Sequence, residues 1–165
     1  MSVPSALNVF VLGSFRDLRP GGTESLALLR RLVGALRDAG WDAFLSGDAR
    51  SLEIAGGPLA PRRMTEVLEQ RCDLAIFVGA RDGRGDGWVS ELTAMQVRNP
   101  AGSRRRVLLL EAGYPLTSIL DPAQEGYLAD PPVMVGLWGD EAELHMMAGE
   151  CASHFARYGQ LPPVL

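Results

Sequence analysis

Five short apolar runs alternate with helix-like segments along this chain, and that alternation limits the possible folds more than any other feature. The first run is Asn8-Val9-Phe10-Val11-Leu12, stopped by Gly13. Trp41 to Leu45, Asp73 to Val78, Arg106 to Glu111 and Val133 to Trp138 read as the other four strands. Thr23 to Ala39 carries apolar residues at 29, 32, 33 and 36, the spacing of a half-buried helix, and Gly40 is a natural stop. Pro61 opens a second helix that runs to Arg71. A third spans Val89 to Val97 and ends before Asn99-Pro100. Asp140 to Tyr158 closes the chain, with Leu144, Met147, Cys151, Phe155 and Tyr158 on one face.

The run Leu74-Ala75-Ile76-Phe77-Val78 is apolar throughout, which suits a central parallel strand covered on both faces. The expectation is therefore a single α/β domain over residues 1–165, a three-layer α/β/α sandwich. Its five-stranded parallel sheet is expected in the flavodoxin-like order 2-1-3-4-5. Ligands in such sheets bind beyond the carboxyl ends of the strands, where strands one and three diverge. Two loops then line the site, Gly13 to Gly22 and Gly79 to Ser90. Ser46 to Ala60 and Ala112 to Pro132 read as longer irregular connections, either lids and partner contacts or plain surface loops.

Composition removes several functions. The 165 residues carry a net charge of −4, so no basic field invites nucleic acid. All sixteen basic residues are arginines, which excludes a Schiff-base, Walker-type or kinase-type lysine. The Arg104-Arg105-Arg106 run reads as a solvated edge. Cys72 and Cys151 lack any metal-ligand spacing and read as reduced core residues. His145 and His154 lie about two and a half helical turns apart, on opposite sides of their helix. No metal or other cofactor is expected. No run of apolar residues reaches the length of a membrane span, and Met1 to Ser5 has no signal-peptide character, so a cytoplasmic location is expected.

The first loop reads Gly13-Ser14-Phe15-Arg16-Asp17-Leu18-Arg19-Pro20-Gly21-Gly22-Thr23. Gly13 permits close backbone approach, and the amides entering the helix at Thr23 form an expected anion site. Arg16 or Arg19 supplies a bidentate partner for phosphate or carboxylate. The second loop packs Gly79, Arg81, Asp82, Gly83, Arg84, Gly85, Asp86 and Gly87 into a short flexible turn before Trp88. Asp86 reads as a helix cap, a role compatible with ligand contact. Glu91 follows in the first turns of the helix, where the positive helix start is expected to keep its carboxylate ionised. An ionised carboxylate facing the site is what a retaining glycosidic mechanism needs.

These residues resemble two related families. Gly13-Ser14-Phe15-Arg16, then Cys72 to Val78, then a Gly-rich loop into Ser90-Glu91-Leu92 is similar to the nucleoside 2-deoxyribosyltransferase-like fold. Asn8 to Val11 with Ser14-Phe15-Arg16-Asp17, and Trp88-Val89-Ser90-Glu91-Leu92, resemble Toll/interleukin-receptor domains. The resemblance covers about Asn8 to Glu111, and both families place their catalytic glutamate at the position of Glu91. The chain departs from them at Thr93, where a glycine is usual, and at Thr65 and Glu66, where the N-hydrolases carry an aspartate. Its Trp88 to Glu91 spacing is also one residue short of the receptor-domain pattern.

The resemblance implies cleavage of an N-glycosidic bond in a nucleoside, nucleotide or NAD. Glu91 would be the nucleophile or cation stabiliser, and Asp82 or Asp86 would hold ribose hydroxyls or assist the departing base. Arg16 with the Gly13 and Ser14 backbone would hold a 5′-phosphate, and Phe15 or Trp88 would stack on the base or pack in the core. Gly79, Arg81 and Gly87 complete the expected substrate-binding set. The resemblance also implies a possible homodimer. A non-catalytic nucleotide-sensing or protein-interaction module on the same fold is the alternative.

Overall fold

A computed structural model describes residues 6–115 and 133–165. Met1 to Ser5 and most of the Ala112 to Pro132 connection lie outside the described residues. The strands are β1 (Asn8–Gly13), β2 (Asp42–Leu45), β3 (Leu74–Gly79), β4 (Arg106–Glu111) and β5 (Met134–Trp138). The helices are α1 (Glu24–Asp38), α2 (Ala49–Ala55), α3 (Pro61–Arg71), α4 (Asp86–Arg98) and α5 (Glu141–Tyr158), with a 3-10 turn at Pro100–Arg105. All strand pairs are parallel, and the order is β2-β1-β3-β4-β5, the expected one. None of the helices among the described residues is long and apolar enough to cross a membrane.

The two-residue period of the strands divides the core. Val9 and Val11 of β1 and Leu74, Ile76 and Val78 of β3 pack with α1 and α5 through Leu29, Leu32, Leu144 and Cys151. Their neighbours Phe10, Leu12, Ala75 and Phe77 face the other way, onto Leu68 of α3 and Trp88, Leu92 and Met95 of α4. Phe10 stacks on Phe44 of β2 with ring centroids 5.3 Å apart. Both cysteines are buried, and burial pushes both thiols up to about 12, so neither is a reactive thiolate near neutrality.

Two sequence expectations change. The Ser46 to Ala60 stretch contains α2, whose N-cap Asp48 accepts from the Ser51 amide and whose last turn closes on left-handed Gly56. Seven residues are too few to show a helical apolar period, so only these caps mark it. The arginine run is not a solvated edge: Arg104 is exposed, but Arg106 is fully buried. The Arg106 guanidinium donates to Glu69 Oε1 at 2.7 Å, Gln96 Oε1 at 2.6 Å and the Asn99 carbonyl at 2.8 Å. Arg105 donates to the Glu69 and Cys72 carbonyls at 2.9 and 2.8 Å. These bonds tie the start of β4 to α3 and α4, at the end of the sheet away from the switch-point loops.

Removing one partner of such a pair strands a buried charge. Glu69→Ala is expected to lower unfolding stability by about 3–5 kcal/mol, and Glu69→Leu with Arg106→Met to recover most of that loss. Urea denaturation checks this; equal losses in the single and double variants would refute it.

Candidate functional site at the switch point

The β1–α1 and β3–α4 loops are laced together by their backbones. The Leu18 amide donates to the Asp82 carbonyl and the Arg84 amide to the Arg16 carbonyl, both at 2.8 Å, around an antiparallel bridge between Asp17 and Gly83. Ser14 Oγ donates to the Arg16 carbonyl and accepts from the Arg16 amide at 3.3 Å, so its hydroxyl shapes the loop. A Cβ on Gly13 would stand 2.9 Å from the Val78 carbonyl, so glycine lets β1 end against β3.

A cleft of about 460 Å³ opens beside these loops. Of the expected residues, Gly13, Ser14, Phe15, Arg16, Gly87, Trp88 and Glu91 line it. Ser46, Pro61, Thr65 and Arg84 line it as well. Ser46 follows β2, the other neighbour of β1, and the switch-point rule applied to that strand would have marked it. Arg16 and Arg84 are both exposed, and their paired backbones put two guanidinium-bearing residues side by side at the cleft. Phe15 is 44% exposed and presents an aromatic ring to solvent, whereas Trp88 at 2% packs against Tyr114 with centroids 6.0 Å apart.

Other expected residues lie elsewhere. Gly79 sits beneath Trp88 and Tyr114, where a Cβ would meet their rings at 3.2 and 3.3 Å, so its glycine serves packing. The Arg81 amide and guanidinium both bind the Glu111 carboxylate, at 2.8 and 3.3 Å. Asp82 lines a separate, acid-rich cavity of about 630 Å³ with Asp17, Glu24, Glu111, Asp140 and Glu141. Asp86 is the first residue of α4, behind an N-cap at Gly85 rather than serving as that cap, and its side chain lies outside the described residues.

The anion site expected at the start of α1 is already occupied. Asp17 Oδ2 accepts from the Glu24 amide at 3.1 Å, and Oδ1 from the Ser25 amide at 2.8 Å. The Ser25 hydrogen bonds hold this carboxyl below the usual aspartate range. The cationic residues lining the cleft are Arg16 and Arg84, while these helix amides are taken up by Asp17. Arg19 lies with Asp17 at the acid-rich cavity, outside the cleft of Glu91.

Glu91 differs from its expectation. Because α4 starts at Asp86, Glu91 stands beyond the first turn, where the field of the helix start has faded. Burial therefore dominates and raises its carboxyl above the ordinary value of 4.5, opposed by a hydrogen bond from Thr65. Thr65 Oγ1 lies 3.3 Å from Glu91 Oε1. A second cavity of about 260 Å³, between α3 and α4, shares Pro61, Thr65 and Glu91 with the first, so the carboxyl stands where two openings meet. Among the described residues lining the main cleft, Glu91 is the only carboxylate. No group of His, Cys, Asp and Glu among the described residues could hold a metal ion.

No protein-family model matches the sequence, and no curated protein matches it either.

A carboxyl whose folded value exceeds its unfolded value binds its proton more tightly in the fold, so stability falls as pH rises through that interval. Glu91→Gln removes the cost. The variant is expected to melt above the wild type at pH 7, with the gap closing below about pH 4, where both states are protonated. Thermal melts across pH check this; a pH-independent gap would contradict it.

Proposed function

We propose that the chain is an N-glycosidase acting on a nucleoside, nucleotide or NAD, as hydrolase or transferase, with Glu91 attacking or stabilising C1′. The supporting observation is the placement of Glu91: a desolvated carboxyl on the wall of the switch-point cleft, which Arg16 and Arg84 of the two loops also line. In its ionised form the carboxylate adds to C1′ as the C1′–N bond breaks, and the bonding pair leaves with the base nitrogen. Water or a second acceptor then takes the sugar from the resulting ester and regenerates the carboxylate. The exposed Phe15 ring offers a stacking face for a base, and Arg16 offers charge to a 5′-phosphate.

A single carboxylate among the described residues lines the cleft. That carboxylate is Glu91, since Asp82 lines the other cavity. The same observation supports the second reading, a nucleotide-binding module without turnover.

Chromatography after incubation with NAD, nucleosides and 5′-nucleotides separates the two readings. The enzymatic reading expects free base or nicotinamide from the wild type and about a thousandfold less from Glu91→Gln. Arg16→Ala is expected to raise KM for phosphorylated substrates about tenfold and to leave nucleosides unchanged. Intact substrates throughout, with binding retained in Glu91→Gln, would establish the binding module. Equal release by both proteins would remove Glu91 from the chemistry.

A further inference from the structure

Thr65 stands on the first turns of α3 with its hydroxyl between two acceptors, the Pro61 carbonyl at 3.2 Å and Glu91 Oε1 at 3.3 Å. A threonine hydroxyl has one proton to donate, so it cannot serve both at once. The bond to Pro61 is the ordinary back-bond of a helical threonine, available whatever the state of Glu91. The bond to Glu91 is stronger when that carboxylate is charged. When Glu91 is protonated, the direction reverses: the carboxyl can donate to Oγ1 while the hydroxyl proton turns to Pro61.

We propose that Thr65 is the positioning residue of this site: its single hydroxyl proton turns from the Pro61 carbonyl to Glu91 as the carboxylate ionises, aiming Oε1 and holding it in the charged form. The assignment of a catalytic purpose to this contact rests on the glycosidase reading; the contact and its effect on ionisation do not. Thr65 is itself buried, and it lines both cavities that meet at Glu91, so the pair forms the wall between them. The desolvation that raises Glu91 is opposed by this one named hydrogen bond. The other charged groups lining the two cavities are Arg62 and Glu66 from α3, Arg98 from α4, and Arg16 and Arg84 from the two loops. Glu66 is paired with both Arg63 and Arg98, which damps its effect on Glu91. The second cavity reaches the same carboxyl from between α3 and α4.

Carbon-detected NMR titration of the Glu91 carboxyl, assigned by its loss in Glu91→Gln, tests the proposal without needing a substrate. Thr65→Val keeps the shape and removes the donor; Thr65→Ser keeps the donor and removes the methyl. The titration midpoint is expected to move up in Thr65→Val, with about tenfold less ionised carboxylate at a fixed pH below it, and to return in Thr65→Ser. Thermal melts establish that the variants are folded, and Thr65→Ala replaces the valine variant if that one is not. Coincident midpoints in the wild type and the donorless variant would overturn the proposal, as would a shift that serine fails to reverse. Where turnover is found, the acid limb of kcat/KM follows the same order. Absence of turnover removes the glycosidase reading and leaves the titration result to decide the role of Thr65.

Discussion

The pairing of β1 with β3 governs the rest of this molecule. The chain returns past β1 on its other side after forming β2, so the loops that leave β1 and β3 emerge next to each other at one end of the sheet. Their backbones then join through the Leu18–Asp82 and Arg84–Arg16 hydrogen bonds. This lacing fixes the rim of the cleft before any ligand arrives. It also divides the loop residues between two cavities, sending Arg16 and Arg84 to the side of Glu91 and Asp82 to the acid-rich side. Arg16 and Asp17, adjacent in sequence, thus line different cavities.

Within the cleft, two opposing effects act on one carboxyl. Burial favours the neutral acid, and the Thr65 hydroxyl favours the anion. A carboxylate poorly solvated in its resting state has fewer water contacts to give up when it approaches an electron-poor carbon. The same burial limits the fraction that is charged in acid. A threonine here is a milder neighbour than an aspartate would be, because it donates a hydrogen bond without adding a second negative charge.

Much of the architecture was legible because parallel strands covered on both faces must be apolar along their length. Leu74 to Val78 states this directly, and the strand order follows from element alternation and the handedness of crossovers. That Glu91 lines the switch-point cleft was legible too, from its place after a Gly-rich turn. The upward pull of burial on its carboxyl was not, because that depends on where α4 starts and what covers the side chain, and neither is a local property of Ser90-Glu91-Leu92. Arg106 misled for a related reason. A triplet of arginines reads as surface until α3 and α4 bring Glu69 and Gln96 to it from far along the chain. Asp17 was a loop residue in sequence, and only the curl of the loop reveals it as the carboxylate seated on α1.

That seat has a consequence for the start of α1. Asp17 behaves as a tethered competitor, a carboxylate held at high effective concentration over the amides that would otherwise attract any passing phosphate. A free anion would have to displace a group that cannot diffuse away. The charge at the cleft is therefore carried by side chains, those of Arg16 and Arg84, rather than by the amides at the start of α1. The start of α1 is thus a self-satisfied corner, closed by its own chain rather than held open.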